Sequence, residues 1–517
     1  MKHLLILTLA CLAALLALAP QPRAQSEEGD EDTGSDANAN EEPEVRWKES
    51  RCVQVPLTWL VQSAYLPSRM LEDKQTIPIA EQVLEVSIVS DAESTDKPKE
   101  ASNQRAPYHR QWRLAIKGNA EAAWNIPAEG GAAKLGDLEL AVYYDELGRA
   151  FLQPRYAWKA RPNLRDYLFI DANFNGRFDD ELVDLMVRGT RGAFAFPFSK
   201  RMPLDDGIYR FEFSEKNNYP VLRYSKSDFL TKASAKLLQA TMNRLRMNFG
   251  LFPAISDSEW NGHCEAHCKY MKTNDSFTHH EERDKPGFTA KGHVAGMSSI
   301  MTKGDMSASH AFYSLWDTPL HGFDVRSPYF SHSAFGYVKP YSVIRTMGLT
   351  HRPFAFTKPW AFPPNNAKNI PIEWPGKEMP EPRIDTDKYL GYPLTFYAQW
   401  GEVSQGEGVE PKRITRPRIS EASARLLVWE GKAWKELKIQ FTYNQESAPI
   451  ALKSWGWVYH YILPEDKLSP NSLHRLEVNW KDDQGESQRF ESCFTTGEDR
   501  GGHVWEASQQ NDPKAKR

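Results

Sequence analysis

Leu238-Gln239-Ala240-Thr241-Met242-Asn243-Arg244-Leu245-Arg246-Met247-Asn248-Phe249-Gly250-Leu251-Phe252-Pro253 is where the period of this chain changes. Leu238, Met242, Leu245 and Phe249 fall at i, i+4, i+7 and i+11, on one face of a helix. Gly250 and Pro253 end it, because glycine takes the left-handed turn that closes a helix and proline cannot continue one. A second helix begins near Asp257-Ser258, with Trp260, Cys264, His267, Cys268 and Met271 facing inward. A third covers Ala308 to Trp316 and stops before Pro319.

Both flanks of this helical block are β-patterned. Val83 to Val89, Leu138 to Tyr144 and the alternating Tyr209-Arg210-Phe211-Glu212-Phe213 read as strands, with a turn at Asp145 to Gly148. Together, residues 45–225 read as one β-rich domain, whose topology the pattern does not give. Downstream, Pro393 to Trp400, Ala424 to Trp429, Leu437 to Tyr443 and Leu476 to Trp480 read as strands, with a tight turn at Glu430-Gly431; short strands at this spacing suggest a β-sandwich. Between the helical block and these strands, Pro353 to Glu381 is rich in proline and aromatic residues and reads as coil.

At the N-terminus, Lys2 and His3 precede an apolar run from Leu4 to Ala19, too short to span a bilayer comfortably. This reads as a signal peptide over 1–24, cut after Ala24, followed by an acidic, solvated segment over 25–44. The expected localisation is secreted, either extracellular or periplasmic. No other segment is long and apolar enough to be a transmembrane helix. Of five cysteines, Cys11 leaves with the signal. Export permits disulfides among Cys52, Cys264, Cys268 and Cys493, but a Cys264–Cys268 bridge within one helical turn would be strained. The net charge of −4 gives no electrostatic case for nucleic acid or an anionic membrane.

Asn243 to Tyr337 resembles the bacterial CAP domain, the fold of cysteine-rich secretory proteins, antigen 5 and pathogenesis-related proteins. Asn243, Arg246, Gly250, Leu251 and Pro253 match its opening Asn-x-x-Arg-x-x-x-Gly-Leu-x-Pro. Phe277-Thr278-His279 matches Phe-Ser-His, Trp316-Asp317-Thr318-Pro319-Leu320-His321 matches the segment that ends Ser-Pro-Gly-His, and Phe335-Gly336-Tyr337 matches the closing Gly-x-Gly. Beyond the domain, Ile372 to Pro382 looks like the family's Tyr-Pro-Gly linker, and Gly391 to Thr395 like the start of its C-terminal Ig-like domain. Leu468-Ser469-Pro470 and Phe494-Thr495-Thr496-Gly497 look like that domain's last strands; the tyrosine usual near His474 to Leu476 is replaced. The resemblance implies a multidomain α+β chain: a CAP α-β-α sandwich over 226–360, a Pro-rich linker over 361–384, and an Ig-like β-sandwich over 385–497. The N-terminal β-rich domain precedes these, and a polar tail over 498–517 follows.

The resemblance also implies a cleft in which His279 and His321 hold zinc or another divalent ion, with Glu281 as the acid that activates water. The glutamate of the family's Gly-Glu-Asn segment is missing at Gly296-Met297-Ser298. A structural role for the two histidines, hydrogen-bonding loop to sheet, stays open beside the metal role, and His280 could replace His279. His263-Cys264-Glu265-Ala266-His267 lacks the general base of a zincin, so those residues read chiefly as helix core. In the N-terminal domain, Asp171, Asn173 and Asn175 with Gly176 match the first half of a calcium loop, with Asp179, Asp180 or Glu181 to complete the shell. The alternative is an Asx-turn hairpin with Gly176 at positive φ.

These residues lead to two expectations. One is a non-enzymatic extracellular or envelope protein that binds a protein, glycan or lipid ligand. The other is a metal-dependent, peptidase-like hydrolase using Glu281.

Overall fold

The structure, a computed structural model, describes residues 47–498 apart from 62–70, 80–81, 92–109, 128–129, 145–148, 162–163, 165, 182, 189–193, 205–206, 217–218, 228–232, 329, 348–358, 375–377, 399–418, 445, 450–451, 453–458 and 483. The expected signal peptide, acidic segment, turn at Asp145 to Gly148 and polar tail beyond Glu498 lie outside the described residues. The chain is β-rich, with several sheets and multiple domains.

Among the described residues up to 227 the elements are strands. An eight-stranded antiparallel sheet runs in the order Ala195–Pro197, Leu185–Arg188, Tyr167–Ile170, Tyr156–Arg161, Lys48–Pro56, Tyr219–Ser227, Gly207–Lys216, Arg201–Leu204. Two smaller sheets, built from strands between Thr76 and Asn125 and between Gly131 and Pro154, share a separate core through Leu84, Leu114, Leu140 and Val142. The large sheet is lined by Phe169, Phe196, Phe198 and Phe211, and this core continues into Met247, Phe252 and Ile255. The β-region is therefore packed onto the end of the helix Ala233–Asn248.

That helix and four others, Ser258–Thr273, Ala290–Met297, Ala308–Trp316 and His321–Arg326, surround a four-stranded sheet ordered Ile255–Ser256, His332–Val338, Tyr341–Arg345, Ser299–Lys303. Side chains alternate across a strand, and here the two sets enter different cores. Ile300, Phe335 and Ile344 join Leu238, Met242, Phe312 and Trp316. Their chain neighbours Met301, Ala334 and Val343 join Cys264, Cys268, Met271 and Ala295. The sheet is thus covered by helices on both faces. The expected inward face of the helix Ser258–Thr273 is observed: Cys264, Cys268 and Met271 have no exposure. Its N-cap is Asp257, whose side chain accepts from the Trp260 N–H.

The opening motif now has a physical account. Asn243 clamps the chain after the helix by donating to Pro203 O and Ala254 O and accepting from Ala254 N. Arg246 is fully buried and spends its guanidinium on the carbonyls of Phe252, Val325, Ser327 and Phe330, tying the helix end to the helix His321–Arg326 and the segment after it. Gly250 sits at φ +74°, and a Cβ there would lie 2.9 Å from Ala195 O, in the β-region.

The C-terminal strands form two sheets, Trp360–Phe362, Leu394–Tyr397, Tyr461–Pro464, Ile439–Thr442 and Ala367–Ile370, Ser487–Thr496, Leu473–Lys481, Ser420–Trp429, Trp434–Leu437, packed over a common core. The stretch 361–384, expected as a linker, instead supplies a strand to each sheet. Its apolar residues Phe362, Ala367 and Ile370 have a core to enter, because Phe362 packs on Phe249 and Trp316 at ring separations of 4.9 and 5.4 Å. The helical layer and the sandwich therefore share one interior. Cys52, Cys264 and Cys268 are free thiols, and all three are buried, as is Cys493. Burial pushes the Cys52 and Cys264 thiols up to about 12, which keeps them protonated and unreactive. No helix among the described residues is long and apolar enough to cross a membrane.

Candidate functional site

His279 lies in the loop between the helices Ser258–Thr273 and Ala290–Met297. Its Nδ1 is 2.8 Å from Gly296 O. A carbonyl only accepts, so Nδ1 carries the proton and Nε2 the lone pair. Burial lowers the His279 pKa, the Gly296 bond opposes that, and the His321 charge lowers it further. The net lowering favours the neutral ring.

His321 opens the short helix His321–Arg326. Its Nδ1 lies 2.5 Å from Glu378 Oε1. The same carboxylate accepts the backbone N–H of Leu320 at 3.0 Å and of His321 at 2.6 Å. Burial pulls the His321 pKa down, but the charge and hydrogen bond of Glu378 outweigh it and the pKa is raised. Whenever His321 is neutral, Nδ1–H points to the carboxylate and Nε2 presents the lone pair. Both histidines thus have the arrangement typical of metal-binding imidazoles, in which the distal N–H is held by a carboxylate or a carbonyl.

Glu281 is placed elsewhere. Its Oε1 is 2.9 Å from His267 Nδ1 and its Oε2 accepts from Thr289 N at 2.8 Å, while its side chain and that of His267 are fully buried. Both oxygens are committed to protein partners, so the expected water-activating role does not match its position. His267 is core, as expected, but as the partner of a carboxylate rather than as an apolar filler. His280 is exposed, whereas His279 is the ring held on Gly296. Among the described residues no group of three or more His, Cys, Asp or Glu side chains is placed to hold a metal ion.

The loop from Asp171 joins two antiparallel strands, with Ile170 opposite Leu185. Asp171 accepts from Asn175 N and Gly176 N, Asn175 Oδ1 accepts from Arg177 N, and Gly176 has φ +83°. These are the bonds of the Asx-turn hairpin. Asn173 and Asn175 turn their amide N–H groups onto Asp180. Asp179 faces the Arg177 guanidinium at 3.0 Å. The acid that closes the loop is Asp184, fully buried and accepting from Ala172 N and Asp180 N. Burial pushes Asp184 up to about 7, with the charges of Asp171 and Asp180 adding to it.

Two residues here escaped the motif reading. Glu378 sits among prolines with no periodic signal. Asp184 follows an acidic run that extends past the calcium pattern. His267 was legible as helix core, but its pairing with Glu281 was not.

No family model matches the chain, and no curated protein matches it significantly. Three solved chains match in part, and two of them are described here. One is an extracellular protein containing a SCP domain from Bacillus anthracis str. Ames, at 13% identity and TM-score 0.19, covering 50% of this chain and 98% of that one. The other is PcoC, a copper resistance protein from Escherichia coli, at 8% identity and TM-score 0.16, covering 26% of this chain and 95% of that one. These scores are too low to assign a fold.

Proposed function

We propose that residues 226–360 are a CAP-type domain in a secreted protein, extracellular or periplasmic, and that its cleft binds rather than catalyses. The observation that carries this reading is the treatment of three side chains. His279 and His321 are each held through Nδ1, by Gly296 O and Glu378, so that both can offer Nε2. Glu281, the acid a hydrolase would use, is withdrawn onto His267 and Thr289 N. Paired imidazole Nε2 atoms suit zinc or another borderline divalent ion, which would supply Lewis acidity and open coordination positions. An oxygen donor of an extracellular protein, glycan or lipid would fill those positions. Release of a proton from His321 accompanies binding, since its pKa is raised.

The experiment is metal analysis of the purified protein before and after chelation, with peptide hydrolysis measured in parallel. Exchangeable zinc without hydrolysis supports the binding reading. Zinc-dependent hydrolysis would replace it with the peptidase. A second cation reading belongs to the hairpin loop: calcium would relieve the mutual repulsion of Asp171, Asp180 and Asp184, with Asn173 and Asn175 turning their amide oxygens inward.

A further inference from the structure

The loop that carries His279 is gripped from two sides, and both grips pass through one buried pair. From the helix Ser258–Thr273, His267 Nε2 lies 2.9 Å from Thr278 O, so that nitrogen donates its proton to the carbonyl of the residue before His279. Its other nitrogen meets Glu281 Oε1 at 2.9 Å. From the helix Ala290–Met297, Thr289 N donates to Glu281 Oε2, and Glu281 N donates to His293 Nδ1 at 3.0 Å. The same helix ends by offering Gly296 O to His279. It therefore fixes Glu281 at one end and His279 at the other.

This helix is also cut away for the pair. A Cβ on Gly292 would lie 2.6 Å from Glu281 Oε1, and one on Gly296 would lie 2.4 Å from the His267 ring and 2.6 Å from His279 O. The two glycines are four apart, on one face.

We infer that His267 and Glu281 are positioning residues: they set the height and rotation of His279 against Gly296, and so keep its Nε2 presented to the cleft. This rests on the binding reading of that cleft, but its test can fail independently.

The test is nuclear magnetic resonance of selectively 15N-histidine-labelled protein, with zinc affinity as a second readout. In the wild type, His279 gives the signature of a single Nδ1–H tautomer. In Glu281→Ala, that signature becomes an average of tautomers and zinc affinity falls at least tenfold, while the His321 signature stays. Glu281→Gln rescues both, because its amide can donate to His267 Nδ1 and accept from Thr289 N. If Glu281→Ala does not fold, Gly296→Ala gives the same reading, since its methyl group displaces the His267 ring. An unchanged His279 tautomer in a folded Glu281→Ala or Gly296→Ala protein overturns the inference. A wild type that binds no zinc sinks the binding reading alone, and the tautomer result still decides this one.

Discussion

His474 makes the stability of the C-terminal sandwich depend on pH. It stands in the strand Leu473–Lys481, fully buried, with its ring stacked on Phe494 at 5.3 Å. Nδ1 is 3.1 Å from Ser472 O and donates to it; Nε2 is buried with no partner among the described residues. Protonation would place a charge on Nε2 against apolar core, so burial pulls the pKa from 6.5 to about 4, against the Ser472 bond. A folded pKa below the unfolded value means stability is intact above pH 6.5 and lost as pH falls toward 4. At about 1.4 kcal/mol per pH unit the full loss is about 3 kcal/mol, of which roughly 2 kcal/mol appears between pH 7 and pH 4.5. His474→Phe removes the titrating group and keeps the stack. Ser472 O retains Thr496 N and Oγ1 as donors, so no acceptor is stranded. The assay is urea unfolding of both proteins at the two pH values, followed by tryptophan fluorescence. Wild type should lose roughly 2 kcal/mol more than the variant on acidification. Equal losses would refute the claim that His474 is neutral and unpartnered in the core.

Glu378→Ala strands two backbone N–H groups and a buried imidazole; it should cost about 3–5 kcal/mol and drop the His321 pKa below its ordinary value, read by ring-proton titration. With Glu378 present, the His321 pKa is raised, so the pair's contribution is full below pH 6.5 and fades as pH rises through the folded value. Calcium should raise the unfolding midpoint at pH 7.5, where Asp184 is losing its proton, and Asp171→Ala should abolish the difference between calcium and chelator; a midpoint indifferent to calcium leaves the loop a plain hairpin. Thiol reagents should leave Cys264 and Cys268 of the native protein unmodified, and rapid labelling of both would contradict their burial.

Periodicity carried most of the helical layer. Leu238, Met242 and Leu245, and Cys264, Cys268 and Met271, are buried on the faces their spacing assigned them, because a helix has one period and one core-facing side. Strands at Leu138–Tyr144 and Gly207–Lys216 were legible for the same reason. Partnership was not legible. Nothing in the spacing of Glu378 announces that it caps His321, 57 residues away, since contacts of that range depend on how the sandwich docks on the helices. Glu281 kept the position a motif suggests but not the role, because His267, one helix back, claims its carboxylate. The proline-rich stretch 361–384 lacks a clean alternation, and only the aromatic core formed by Phe249, Trp316 and Phe362 explains why it becomes strand.

The most direct measurement of the central claim is a zinc titration of metal-free protein by calorimetry at pH 7.5, on wild type, His279→Ala and His321→Ala. The expected result is one zinc per chain in wild type, proton release in proportion to the His321 charge, and loss of that binding event in each variant. Zinc binding that survives both substitutions, or a wild type with no binding event, would contradict it.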